Sequence, residues 1–255
     1  MAAIQSIEIA PLDPERFGSV LGEAYAEFAE AIVAGQKLFE NRVIWNVNST
    51  GKGGGVAEML RSLIAYARGG GVDARWVVIS GNPDFFRVTK RIHNHLHGAT
   101  GDGGALGSSE KEIYERTLAP NADELGKLVS PGDVVILHDP QTAGLCRAMK
   151  EAGATVLWRC HVGLDDPNET AGAAWGFLRP FLTSADSYIF SRRAFVWDDL
   201  ADDKIEIIPP SIDAFSPKNQ DMTEAEVDAV LAAAGVTSGG RTGEPTFKRI
   251  DGSEG

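Results

Sequence analysis

From Arg42 to Pro210 the chain repeats one pattern: a short apolar run, a turn, then a longer amphipathic stretch. The apolar runs are RVIWNV (42–47), ARWVVIS (74–80), GDVVILHD (132–139), TVLWRCH (155–161), SYIF (187–190) and IEIIPP (205–210). Helical spacing fills most of the gaps, at 55–68, 83–98, 109–118, 122–129, 140–152 and 168–182. Strands that alternate with helices must be joined by crossovers, and crossovers are right-handed. Val134 to Leu137 are apolar at every position, as in a strand covered on both faces. The pattern therefore predicts an α/β fold: a Rossmann-like parallel sheet with helices on both faces.

This core is expected over 41–220. Residues 1–40 read as a helical segment packed on it, because Phe17, Val20, Leu21, Ala24, Phe28, Ala31 and Ile32 recur at helical spacing. Residues 221–255 read as one further helix, at 223–234, and a linker or flexible tail rich in Gly, Thr and charge.

A net charge of −12 argues against nucleic acid and against docking on anionic lipid. The two cysteines, Cys146 and Cys160, have neither disulfide-scaffold nor metal spacing, and a cytoplasmic location is expected. The first residues lack the charge and apolar stretch of a signal peptide. No apolar run reaches the roughly 18–20 residues of a membrane helix.

In parallel α/β sheets, ligands meet the C-terminal ends of the strands. The expected strands end in Asn48, Ser80-Gly81-Asn82, His138-Asp139, His161 and Ser191. After Asn48 comes STGKGGGV, a glycine loop opening a helix. It is not a Walker A loop, since Lys52 precedes the glycines and Val56 follows them. Nor is it a dinucleotide GxGxxG, since Val56 stands where the third glycine belongs. Two readings stay open: a tight turn that binds nothing, or an unobstructed helix N-terminus facing a phosphate or sugar hydroxyls. Asp139 either caps the next helix or accepts hydrogen bonds from sugar hydroxyls. His161 is either held in place by a hydrogen bond or faces a ligand as a neutral imidazole.

The HNHLH run (His93, His95, His97) does not make a metal site, because His95 leaves the face shared by the other two and no carboxylate set accompanies them. Asp166, Pro167 and Glu169 suit the N-cap, N1 and N3 positions of a helix better than a cation loop. No GxSxG elbow is present.

Five segments, WNVNSTGKGGGVAEMLRSL, LHDPQTAGL, WRCHVGLDDPN, WGFLRPF and IIPPSIDAFSPKN, together resemble the trehalose synthases of the glycosyltransferring type, over about residues 8–220. The retaining trehalose phosphorylases are similar over the same segments. The resemblance implies the N-terminal domain of a retaining, family 4-like GT-B glycosyltransferase making α,α-trehalose from NDP-glucose and glucose. It implies substrate contacts at Asn48, Gly53, Gly54, Gly55, His138, Asp139, Gln141 and His161. His161 would lie nearest the reacting sugar, with no protein nucleophile, no metal and no cofactor beyond the donor substrate. The partners implied are glucose, NDP-glucose and a nucleotide-binding C-terminal domain or complementary chain; a homodimer is left open. A second domain needs on the order of 150 more residues, so these 255 are expected to be inactive alone. A trehalose phosphorylase half-domain and a non-catalytic sugar-binding module are the alternatives. A nicotinamide-dependent dehydrogenase is disfavoured by the failed fingerprint.

Overall fold

Each of the six apolar runs is a strand in the computed structural model, which describes residues 3–216, 219 and 221–237. They are β2 (Ile44–Asn48), β3 (Ala74–Ile79), β4 (Val134–His138), β5 (Thr155–Cys160), β6 (Ser187–Phe190) and β7 (Ile205–Ile207). A seventh strand, β1 (Ile4–Ile7), pairs antiparallel with β3 at the sheet edge. The alternation gives no hint of it. IQSI is only four residues long, and its first amides are held from outside the sheet: the Ala3 and Ile4 N–H groups donate to Glu124 at 2.9 and 3.2 Å.

The strand order is β1-β3-β2-β4-β5-β6-β7, with every pair from β3 to β7 parallel. From β2 the chain steps one way to β3, then crosses to β4 on the other side. That reversal opens a crevice beyond the C-terminal ends of β2 and β4, the position at which such sheets bind ligands.

Register divides the strand residues between two faces. Trp45, Val47, Val77, Val135, Leu137, Trp158, Cys160 and Phe190 form the main core with α4 (Pro83–Leu96), α5 (Ser108–Gly126), α6 (Cys146–Glu151) and α7 (Glu169–Leu182). On the other face, Ala74, Trp76 and Val78 pack under Ala57, Leu60 and Ile64 of α3 (Gly55–Gly69). Each such aliphatic side chain stabilises the fold by about 1.5–3 kcal/mol. Residues 14–38 form short 3-10 and α turns, including α1 (Gly18–Leu21), and then α2 (Tyr25–Leu38). Phe17 meets Tyr66 of α3 edge-on at 4.8 Å.

Three local expectations need correction. α5 runs unbroken through Pro120 rather than ending at Leu118. One ladder hydrogen bond is lost there, but burial of Tyr114, Leu118, Asn121 and Leu125 along the same helix outweighs it. Its N-cap is Gly107, whose N–H donates to Glu110 at 3.0 Å; the sequence suggests Ser108 or Ser109 for that position, but both lie inside the helix. α7 is capped by Asn168, which accepts the Ala171 N–H at 3.0 Å, and not by Asp166. The same Asn168 donates to the Gly98 carbonyl at 2.9 Å, tying the end of α4 to the start of α7.

The chain divides into two compact units, Met1–Pro210 and Ser211–Gly255. In the second, Thr223 and Glu226 form a reciprocal capping box at the start of α8 (Glu224–Ala233). The flexible tail expected after Gly235 falls mostly outside the described residues. No helix among the described residues is long and apolar enough to cross a membrane.

Candidate functional site

The glycine loop leaves β2 at Asn48. Asn48 is buried, and its side chain is engaged at both ends: Oδ1 accepts the Trp76 indole N–H at 2.8 Å, and Nδ2 donates to the Thr50 carbonyl at 2.8 Å. Asn48 thus braces the loop against β3. Gly53 and Gly54 have φ of 71° and 81°, the left-handed region that favours glycine. Gly54 is the N-cap of α3 and supplies no capping side chain. The first-turn amides of a 15-residue helix are therefore left without a side-chain cap. A Cβ built at Gly53, Gly54 or Gly55 would meet no atom within 4 Å, so open space lies over all three.

Across the crevice, β4 ends in His138 and Asp139. His138 is fully buried. Its Nδ1 lies 3.1 Å from His161 Nε2, and its Nε2 lies 3.2 Å from Asn46 Oδ1. The two rings are nearly parallel, 15° apart with centroids 5.4 Å apart. Burial, then His161 and Arg159, holds the His138 pKa well below the ordinary imidazole range. Burial, then Arg159, brings His161 down to about 4. Both rings are neutral at neutral pH.

Asp139 does not cap the following helix. Its φ of 64° is left-handed, a conformation Asp tolerates better than most residues. Its Oδ1 accepts the His161 backbone N–H at 2.9 Å, and its carbonyl accepts from the Trp158 indole at 3.1 Å. The ends of β4 and β5 are thereby stitched together. Burial raises the Asp139 pKa to about 6, against the lowering effects of the His161 N–H and of Arg159. Gln141 sits half-buried in the turn that follows.

Two members of this cluster escape the sequence reading. Asn46 is buried in mid-strand, and Arg159 is buried beside His138 in the register of β4 and β5. The Arg159 Nε has no hydrogen-bond partner. The signal available was a polar residue inside an otherwise apolar strand of a two-sided sheet.

The structure therefore brings together the Gly53–Gly55 loop on one side and His138, Asp139 and His161 on the other, with Gln141 beside them. The HNHLH residues lie apart on α4. His93 and His97 meet edge-on at 4.9 Å, and the Nδ1 atoms of His93 and His95 are buried without a partner. Among the described residues no group of three His, Cys, Asp or Glu side chains could hold a metal ion. Two surface grooves, of about 480 and 690 Å³, are found elsewhere. One lies between α5 and α7 near Tyr114 and Phe181, the other near Trp45, Asp73 and Arg75, and neither includes a residue of the strand-end cluster. The convergence of buried polar groups at the order reversal makes the strand edge, rather than either groove, the candidate site.

Residues 46–197 match the family described as "Trehalose synthase, N-terminal domain". The chain is 39% identical over 213 residues to the trehalose synthase of Thermococcus litoralis, covering 84% of this chain and 49% of that protein. It is 33% identical over 217 residues to the trehalose synthase of Rubrobacter xylanophilus, covering 84% of this chain and 50% of that protein. With the trehalose phosphorylase of Pleurotus pulmonarius it shares 30% identity over 219 residues, 77% of this chain and 30% of that protein. The chain spans about half the length of the curated trehalose synthases it matches. The N-terminal domain of Candida albicans trehalose-6-phosphate phosphatase has a similar fold, with a TM-score of 0.50 at 12% identity over 76% of this chain and 54% of that one.

Proposed function

The chain belongs to the trehalose synthase family, matching its N-terminal domain, and on that premise we propose that it forms the acceptor-side wall of a retaining glucosyl-transfer cleft. The reaction is NDP-glucose plus glucose giving α,α-trehalose plus NDP. One observation carries this reading: two neutral imidazoles and a carboxylate at the ends of β4 and β5 lie across the order reversal from an uncapped helix N-terminus. Neutral hydrogen-bonding groups suit the hydroxyls of glucose. An uncapped N-terminus suits the diphosphate of a nucleotide sugar, which needs stabilisation as it leaves.

On this reading the protein contributes orientation and electrostatics rather than a nucleophile. Asp139 and Gln141 hold acceptor hydroxyls, and His161 contacts the transferred glucose. The leaving phosphate takes the acceptor proton on the same face of the sugar. The match covers only about half of each trehalose synthase, so transfer is assigned to the whole enzyme and sugar binding to these residues, with a cytoplasmic setting. The match to a trehalose phosphorylase supports a second reading, in which inorganic phosphate replaces the nucleotide.

Calorimetric titration of this chain with glucose, trehalose, NDP-glucose and glucose 1-phosphate tests the proposal. Saturable glucose binding that is lost in His161→Ala, while the fold is kept, is expected. Absence of binding by any of the four sugars would overturn it. Preference for glucose 1-phosphate over NDP-glucose would favour the phosphorylase.

A further inference from the structure

Asn46 belongs to none of the segments' obvious chemistry, yet it sits at the head of a chain of three side chains that ends at the site. Its Oδ1 is 3.2 Å from His138 Nε2, and His138 Nδ1 is 3.1 Å from His161 Nε2. Asn46 and His138 are buried, with 3% and 1% of their surfaces exposed, so water does not readily substitute for either partner. We propose that Asn46 and His138 are positioning residues that fix His161 as its Nε2–H tautomer, so that its free Nδ1 meets the ligand as an acceptor for a hydroxyl proton.

The argument follows the protons. An amide oxygen only accepts, so His138 Nε2 carries the hydrogen. A neutral imidazole has one N–H, so His138 Nδ1 is bare. A bare nitrogen 3.1 Å from His161 Nε2 requires the hydrogen to be on His161 Nε2. Neutral His161 then has a bare Nδ1, which makes no hydrogen bond among the described residues. Rotating the Asn46 amide by half a turn reverses every step: Nδ2 donates to His138, His138 donates to His161, and His161 presents an N–H. The amide orientation of one buried residue thus sets whether the site offers an acceptor or a donor.

With Nδ1 bare, His161 and the Asp139 carboxylate both accept. Such a wall recognises a molecule that donates several O–H groups and offers nothing to an anion at that point. The pKa of about 4 keeps the His161 ring an acceptor rather than a base that retains the proton. Identifying the donor as a sugar hydroxyl rests on the function proposed above; the tautomer chain does not.

The test is nitrogen-15 NMR of the imidazoles in the 255-residue chain at neutral pH. The expected result is His138 and His161 both protonated at Nε2, with a through-hydrogen-bond coupling between His161 Nε2 and His138 Nδ1. Asn46→Asp, which keeps an acceptor, should preserve that pattern. Asn46→Leu should lose it, giving mixed His138 tautomers. His161 protonated at Nδ1 in the unaltered protein would overturn the proposal without any variant. So would a His138 tautomer unchanged in a folded Asn46→Leu protein. Glucose is then titrated into the same sample. A shift of the His161 Nδ1 resonance supports the hydroxyl contact. No shift removes a glucose hydroxyl as the ligand while leaving the tautomer assignment standing, so the two readings fail separately.

Discussion

Gly54 and Gly55 are neighbours in one glycine run, and the structure predicts opposite consequences when each is changed to alanine. Gly55 opens α3 without a left-handed φ, and a Cβ there would meet no protein atom within 4 Å. Gly→Ala at a compatible position restricts the unfolded chain and stabilises by about 0.4–1 kcal/mol. For a chain of this size that is a rise of roughly 1–4 °C in Tm. Gly54 has equally open surroundings but a φ of 81°. A left-handed conformation costs an L-residue about 1–2 kcal/mol, so Gly54→Ala should lower Tm by a few degrees through the backbone alone. Binding should respond differently. If the open space over the loop belongs to a ligand, the Gly55 methyl intrudes there and weakens sugar or nucleotide-sugar binding tenfold or more, about 1.4 kcal/mol. Thermal unfolding and titration calorimetry on the two variants separate these effects. A Gly55→Ala protein that binds as tightly as the original would show that the loop is a turn and not a wall. A Gly54→Ala protein of undiminished stability would show that the left-handed turn is not enforced.

Four further outcomes follow from the same geometry. Native His161 is neutral above about pH 4, whereas an unfolded histidine takes up protons below about 6.5; stability should therefore rise with pH through that window, as it does for His138, and flatten in His161→Gln. Asp139 acts in the opposite direction, because its folded pKa of about 6 lies above the ordinary 3.8 and it loses favourable protonation as pH rises, so Asp139→Asn should steepen the gain; urea melts at stepped pH measure both. Trp197, fully buried between Trp158 and Trp175 at ring distances of 5.5 and 5.2 Å, pins the segment after β6, and Trp197→Ala should cost about 3–5 kcal/mol in denaturant titration. Arg91 holds the 99–107 loop through a two-pronged pair with Asp102 at 2.7 and 2.9 Å and a contact to the Ala105 carbonyl; Arg91→Gln should expose that loop to limited proteolysis while the sheet stays protected.

Apolar runs and helical spacing made the six parallel strands legible, because burial on two faces forces consecutive apolar residues. β1 was illegible for the complementary reason. An antiparallel edge strand of four residues need bury only a few side chains, and Ile4 and Ile7 alone make no pattern. Pro120 misled in the opposite way: a local rule about helix ends gave way to a buried stripe spanning both sides of it. The α7 cap failed by two residues because Asp166 and Asn168 are equally good cap types, and only contact with Gly98 distinguishes them.

The site divides along the same line. That polar residues should gather at the C-terminal ends of the strands follows from their being parallel, and parallel strands follow from the alternation; which ends become neighbours is set by the strand order, which the alternation does not give. What each residue does there depends on hydrogen bonds between strands distant in sequence. Asn48 has the composition of a ligand contact and the geometry of a brace. Asp139 suits a helix cap by position, yet it turns back through a left-handed φ to hold the His161 backbone. Asn46 lies 92 residues from His138 and shows in the sequence only as a polar residue where an apolar one would pack better. A buried polar group costs free energy unless its partner is present. For Asn46 that partner is His138, and in the arrangement proposed above the pair sets the proton position on a histidine two strands away.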